Sequence, residues 1–294
     1  MTDRHNPTVS DPKEHTRGFA LTLIGVLVLT PDTLLIRLID IDPWTMNLWR
    51  GLLMSFSLTV SYLLVARGQA WAGIKALGLA GIAVAVIYSI NAITFVLAID
   101  HTRVANVLII IASTPLIAAL LSIIFLKERV ALPTWLAIAG AMAGVSIVVG
   151  DGVRTGTSLG DLLALVTSIA LAVALIIIRH NKHVNMIPAT AVGALISAMI
   201  AMPVAEPLQL EGARLGLMLL LGLVIMPLSF GLITLGPRTI PAPEVALLLL
   251  LETVLGPIWV WLVIDEKPSE MTLVGGCVVI SAVMLQSIWR LRGN

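Results

Sequence analysis

Apolar residues run along this chain in long blocks separated by short polar stretches. The first half has blocks at about Arg17–Leu38, Pro43–Ala66, Ala76–Ile99, Val104–Leu126 and Leu132–Val149. The second half has them at about Leu159–Ile178, Ile187–Ala205, Leu215–Leu235, Val245–Ile264 and Met271–Trp289. Each is close to the ~20 residues that carry an α-helix across a hydrocarbon core of ~30 Å. Helices are required, because lipid offers no hydrogen-bond partner to an exposed backbone. The alternating pattern of barrel strands is missing. The pattern predicts an all-α integral membrane protein with ten transmembrane helices. Residues 1–16 are polar and lack apolar residues to build a core, so a disordered cytoplasmic tail is expected there. No small-residue cleavage pattern follows the first block, which reads as a retained span rather than a signal peptide.

Composition agrees with the block pattern. Hydrophobic residues make up 58% of the 294 and charged residues 12%, with a mean hydropathy of +1.02, outside the range of soluble domains. A net charge of +1 argues neither for nucleic acid nor for acidic partners, and no basic run is long enough to bind phosphate, so no nucleic-acid partner is expected. Cys277 is the only cysteine, so neither a disulfide framework nor a thiolate metal site is available. With the N-terminus inside, Arg37, Arg50, Arg103, Arg154, Arg214 and Lys267 fall outside and the other 12 of 18 basic residues inside. The positive-inside rule then places both termini in the cytoplasm of a multi-pass inner-membrane protein. Trp44 and Trp49 near one interface, and Trp71 and Trp289 near the other, fit aromatic belts.

A duplication underlies the blocks. Adding 138 to positions in the fourth block sets Asn106 on Glu244, Thr114 on Glu252, Ala118 on Gly256 and Glu128 on Glu266. Adding 135 in the fifth sets Pro133 on Pro268 and Gly140 on Gly275. Each half holds five spans, and an odd number of crossings turns the second half upside down. The expected domains are a tail (1–16) and two inverted five-helix repeats, 17–150 and 159–290. Such repeats are a frequent build for secondary transporters, with the substrate site between them near mid-membrane.

The run Ala98–Val130, with Thr102, Val104, Ala105, Asn106, Thr114, Pro115, Leu116 and the closing Leu126, Lys127, Glu128, Arg129, resembles the fourth-helix signature of the drug/metabolite transporter superfamily. Its partner is Leu251, Glu252, Thr253, Gly256, Pro257 with the closing Asp265, Glu266, Lys267, Pro268. Within that superfamily the chain is similar to EamA-type ten-helix exporters, most of all the aromatic amino-acid exporters of the YddG type. The sequence departs from the pattern at Thr253, where the family often has Pro, and at Asp265, where Gly is frequent. The resemblance implies a transporter that takes amino acids and related small metabolites by alternating access, with the bilayer as its other partner and no cofactor. A monomer is the expected state.

Polar residues inside apolar runs supply the candidate chemistry, because charge at bilayer depth is costly and tends to face a wet interior. Glu252 could attract a substrate amino group, carry a coupling proton, or hold a helix crossing. Asp32, beside the helix-breaking Pro31, is the second candidate for coupling. Tyr88, Asn91 and Phe95 fall at i, i+3 and i+7 and share one helix face, either to contact cargo or to pair with a neighbouring helix. Trp259, seven residues after Glu252, is a candidate wall for a flat side chain. Thr114 and Ser229 complete the substrate-binding set, although such hydroxyls often bond back to the preceding turn. Pro115, Pro227 and Pro257 are expected to mark kinks, and Gly140 with Gly144 a GxxxG packing face.

Other functions find less support. All five histidines are read as lying in the tail or loops, no phosphate loop is present, and no catalytic or metal-ligating set is expected. No Lys or Arg is read at mid-depth, which argues against phosphorylated cargo. An exporter of organic cations and a non-transporting receptor or scaffold remain as alternatives.

Overall fold

The computed structural model describes residues 12–102, 107, 110–150, 158–206, 210–265 and 270–292, and its regular structure is helical. The helices are α1 (Pro12–Leu29), α2 (Asp32–Ile39), α3 (Pro43–Ala66), α4 (Ala70–Ala76), α5 (Gly78–His101), α6 (Thr114–Leu121), α7 (Leu132–Gly150), α8 (Ser158–His180), α9 (Ile187–Ala201), α10 (Gly212–Leu220), α11 (Met226–Leu235), α12 (Ala242–Ile264) and α13 (Glu270–Arg292). Among the described residues, six stretches are long and apolar enough to cross a membrane: Glu14–Ile39, Pro43–Ala66, Gly78–His101, Leu159–His180, Gly212–Arg238 and Ala242–Ile264. Four shorter apolar helices, Thr114–Leu126, Leu132–Ile147, Ile187–Ala201 and Leu273–Gln286, accompany them.

Local chemistry explains the boundaries. Pro31 offers no N–H and separates α1 from α2, with the Thr30 hydroxyl donating to Leu27 O at 2.8 Å. Asp42 caps α3, accepting from the Trp44 and Thr45 amides at 3.0 and 2.9 Å, and Pro43 sits at the first helical position. Five-residue π-helical segments, Ser122–Leu126 and Leu221–Ile225, extend α6 and join α10 to α11. Helix α12 runs through Pro257 without interruption, and the helix breaks lie at the π segments and at Pro31.

Two expectations for the N-terminal region are corrected. Helix α1 starts at Pro12, not after residue 16. His15 belongs to it and is 8% exposed, its Nε2 3.1 Å from Glu244 Oε2 in α12. A polar residue can sit there because its partner is equally buried. His101 and His180 likewise end helices rather than lying in loops.

Small residues set the closest packing. Helix α7 lies along α13, and a Cβ at Gly144 would come 2.7 Å from Gly275 O, too close for any residue but glycine. Gly140 faces Ala282 in the same contact. Helix α3 packs on α9, where a Cβ at Gly51 would come 2.5 Å from Ala194 O. Helix α5 lies between α8 and α9, α1 rests on α11 and α12, and α6 rests on α8 and α12. The outer surface is apolar, with Val65, Leu79, Leu132 and Leu262 all at least two-thirds exposed, as a lipid-facing surface requires.

Candidate functional site

A cavity of about 460 Å³ lies among α2, α3, α5, α6, α8, α9, α11 and α12, within the size range of small-molecule sites. Its walls are largely aliphatic. Asp32, Arg50, Tyr88, Asn91, Thr114 and Glu252 are its main polar residues.

An ion pair dominates this site. Arg50 Nη2 donates to Asp32 Oδ2 at 3.0 Å, and the two side chains are 8% and 4% exposed. The Arg50 Nε–H donates to the Met226 sulfur at 3.2 Å, a weak acceptor. Arg50 Nη1 and Asp32 Oδ1 are buried without a hydrogen-bond partner among the described residues. Glu252 lines the same cavity within electrostatic reach of both Asp32 and Arg50.

Arg50 corrects the expectation that no cation lies at depth. It stands in the eighth position of α3, about 10 Å along the axis at 1.5 Å per residue, and points into the bundle instead of toward the interface. Sequence reasoning counted it by its nearer face. An Arg inside one apolar run and an Asp inside the preceding one form a charge-balanced couple, and that was the signal available.

The shared face of α5 does meet the cavity. The Tyr88 hydroxyl donates to Met54 Sδ at 3.3 Å, and its ring meets Phe230 edge-on at 5.5 Å between centroids. Close approach of α9 fixes this position, since a Cβ at Gly193 would lie 2.9 Å from Tyr88 Cβ. Asn91 Nδ2 donates to Thr167 O at 3.1 Å, so part of its polarity serves helix pairing. Phe95 lines the wall beside them. Thr114 lines the cavity while sharing a hydrogen bond with Ser168 at 2.9 Å.

Two candidates stand apart. Ser229 is fully buried and its hydroxyl bonds back to Ile225 O, while its neighbours Met226 and Phe230 face the cavity. Trp259 is 40% exposed and donates from Nε1 to Thr30 Oγ1 at 2.8 Å, joining α12 to the break between α1 and α2. Of the fourth-block signature, Asn106 lies outside the described residues, as do Glu266, Lys267 and Pro268 of its partner.

Polar contacts close the bundle at the end where α1 begins. Arg179 in α8 donates from Nε and Nη2 to Glu128 Oε1, each at 2.9 Å, and from Nη1 to Pro237 O at 3.3 Å. Arg238 Nε donates to Lys182 O at 2.9 Å. The His15–Glu244 contact lies at the same end.

With this geometry in view, the comparisons with known proteins are specific in family and silent on cargo. The sequence model described as the EamA-like transporter family matches residues 16–150 and again 158–288. A solved structure titled "Crystal structure of protein" superposes with a TM-score of 0.78 at 14% identity, covering 95% of this chain and 99% of its own; at that identity the likeness is one of fold. No curated protein is matched by the sequence. Two family matches that together span nearly the whole chain show that it belongs to the EamA-like transporter family, as a multi-pass membrane transporter of small molecules.

Proposed function

We propose that the protein exports amino acids, aromatic or other large neutral ones in the manner of the YddG type, from the cytoplasm by alternating access. In this reading it acts as a monomer in the cell inner membrane. It has ten spans in two inverted repeats, 17–150 and 159–290, and both termini are cytoplasmic. The observation that carries the cargo is the buried Asp32–Arg50 pair with Glu252 beside it, in a cavity walled by Tyr88, Phe95 and Phe230. Charged groups of both signs suit a zwitterionic head, and the aromatic rings suit a flat side chain. One Arg already balanced by Asp32 leaves no net positive charge for a phosphate.

Packing supports the duplicated architecture. Exchanging each span with the one five places later maps the α5–α8 contact onto that of α11 with α1, and the α6–α8 contact onto that of α12 with α1. The α7–α13, α3–α9 and α6–α12 contacts map onto themselves. Lys127 and Asp265, 138 residues apart, both terminate their helices in the left-handed region with φ of 55° and 59°. That conformation favours glycine, which accounts for the family's frequent Gly where this chain has Asp265.

Proteoliposome flux tests the reading. Labelled amino acid should move through the wild-type protein and be lost in Glu252→Gln and Tyr88→Ala, whereas wild-type vesicles that move none would refute it. One observation favours a second reading, export of organic cations: the Glu252 carboxylate has no hydrogen-bond partner among the described residues and shares its cavity with Tyr88, Phe95 and Phe230, a combination suited to an organic cation. Faster flux of a quaternary amine than of any amino acid would favour it.

A further inference from the structure

We infer that the Asp32–Arg50 pair is itself the reader of the substrate head group, with Arg50 holding an α-carboxylate and Asp32 the adjacent ammonium. This rests on the amino-acid reading above and goes further, because it moves carboxylate recognition to a residue outside the sequence-derived set. The guanidinium carries five N–H donors and cannot lose its charge. Among the described residues its one strong acceptor is Asp32 Oδ2, its Nε is given to a thioether, and its Nη1 has no partner. Asp32 Oδ1 is in the matching condition. Buried polar atoms in this state are uncommon and call for an explanation; both residues line the cavity, and a ligand there meets these two atoms once the side chains turn toward it.

The unmet donor and the unmet acceptor belong to two side chains already held 3.0 Å apart. One small molecule answers both when its anionic and cationic groups lie on adjacent atoms, as in an α-amino acid. Its carboxylate accepts from Nη1 and displaces the weak sulfur contact at Nε, giving the planar fork that guanidinium favours. Its ammonium donates to Asp32 Oδ1, with Glu252 as a second acceptor. The protein's ion pair and the substrate's own zwitterion then lie head to tail. The side chain of the substrate extends toward Tyr88, Phe95 and Phe230.

The test uses three probes that differ only in the head group: L-phenylalanine, L-phenylalaninamide and 2-phenylethylamine. Binding to the full-length protein is measured by calorimetry in detergent, with flux measured in parallel. Wild-type protein should bind phenylalanine about tenfold or more tighter than the amide, as expected for a hydrogen-bonded charge. The charge-free pair Asp32→Asn/Arg50→Gln should bring that ratio to about one while phenylethylamine, held through Glu252 and the aromatic wall, still binds. Arg50→Lys keeps a partner for Asp32 and loses the fork, so it should lose phenylalanine affinity and spare the amine; it decides the matter if the double variant does not fold. Wild-type flux of phenylalanine without preference over the amide overturns the assignment and leaves the amino-acid reading standing. Preference retained in both variants also overturns it. No flux of any amino acid overturns both.

Discussion

Removing Asp32 should destabilise the protein severely, and removing Arg50 with it should restore most of the loss. In the folded chain Arg50 is 7% exposed, and Asp32 is the only strong acceptor it has among the described residues. Asp32→Ala leaves a guanidinium facing a thioether eight residues into an apolar helix. Stranding one member of a buried pair costs about 3–5 kcal/mol, whereas replacing both by apolar groups of similar volume is often neutral. At 1.4 kcal/mol per factor of ten, the single change raises the unfolded fraction by about a hundredfold to several thousandfold. Denaturation in mixed detergent–SDS micelles, followed by tryptophan fluorescence, gives the comparison among wild type, Asp32→Ala and Asp32→Ala/Arg50→Met. The reasoning fails if Asp32→Ala stays within about 1 kcal/mol of wild type, since the pair would then behave as a solvated one. It also fails if the double variant is no more stable than the single.

Other parts of the structure give sharper contrasts. Gly144→Ala should cost about 1–3 kcal/mol by overpacking α7 against α13, while Gly216→Ala, where a Cβ meets nothing within 4 Å, should be neutral or mildly stabilising; thermal unfolding of the two variants separates them. Arg179→Gln should loosen the end closed through Glu128 and Pro237, so that Thr234→Cys on the cavity wall, in a Cys277→Ala background, reacts faster with a membrane-impermeant thiol reagent applied from that end. Trp259→Phe, outside the cavity, should leave amino-acid affinity unchanged, whereas Phe95→Ala should weaken it; equal losses from both would place Trp259 in the site.

The hydrophobic blocks were legible because lipid imposes one rule on every span. Their ends were less so. The pattern predicts the seventh block to run to Ala205, but α9 stops at Ala201 with Met202 still in helical geometry, because Pro203 has no N–H to carry the hydrogen-bond ladder on. In the third block the chain turns at Gly78 with φ of +51°, a feature that hydrophobicity does not report. Within the site, the i, i+3, i+7 rule brought Tyr88, Asn91 and Phe95 to one wall. The same rule aligned Trp259 with Glu252 in rotation, but seven residues also advance about 10 Å along the axis. Trp259 therefore reaches Thr30, to which it donates, and stays off the cavity wall. Arg50 escaped because a side chain's destination depends on what faces it, and Asp32 is in another helix.

Ser229 points to a last consequence of the fold. The wide turn at Leu221–Ile225 holds one residue more than a regular turn, and each residue of an α-helix swings the next by about 100°. Every side chain from Met226 onward is thus aimed by the number of residues upstream as well as by its own identity. Excising a single amino acid from that turn would swing Met226, Phe230 and Ile233 off the cavity wall and bring a different column of α11 into their place. One codon gained or lost there re-letters a whole wall at once, without substituting any residue of that wall.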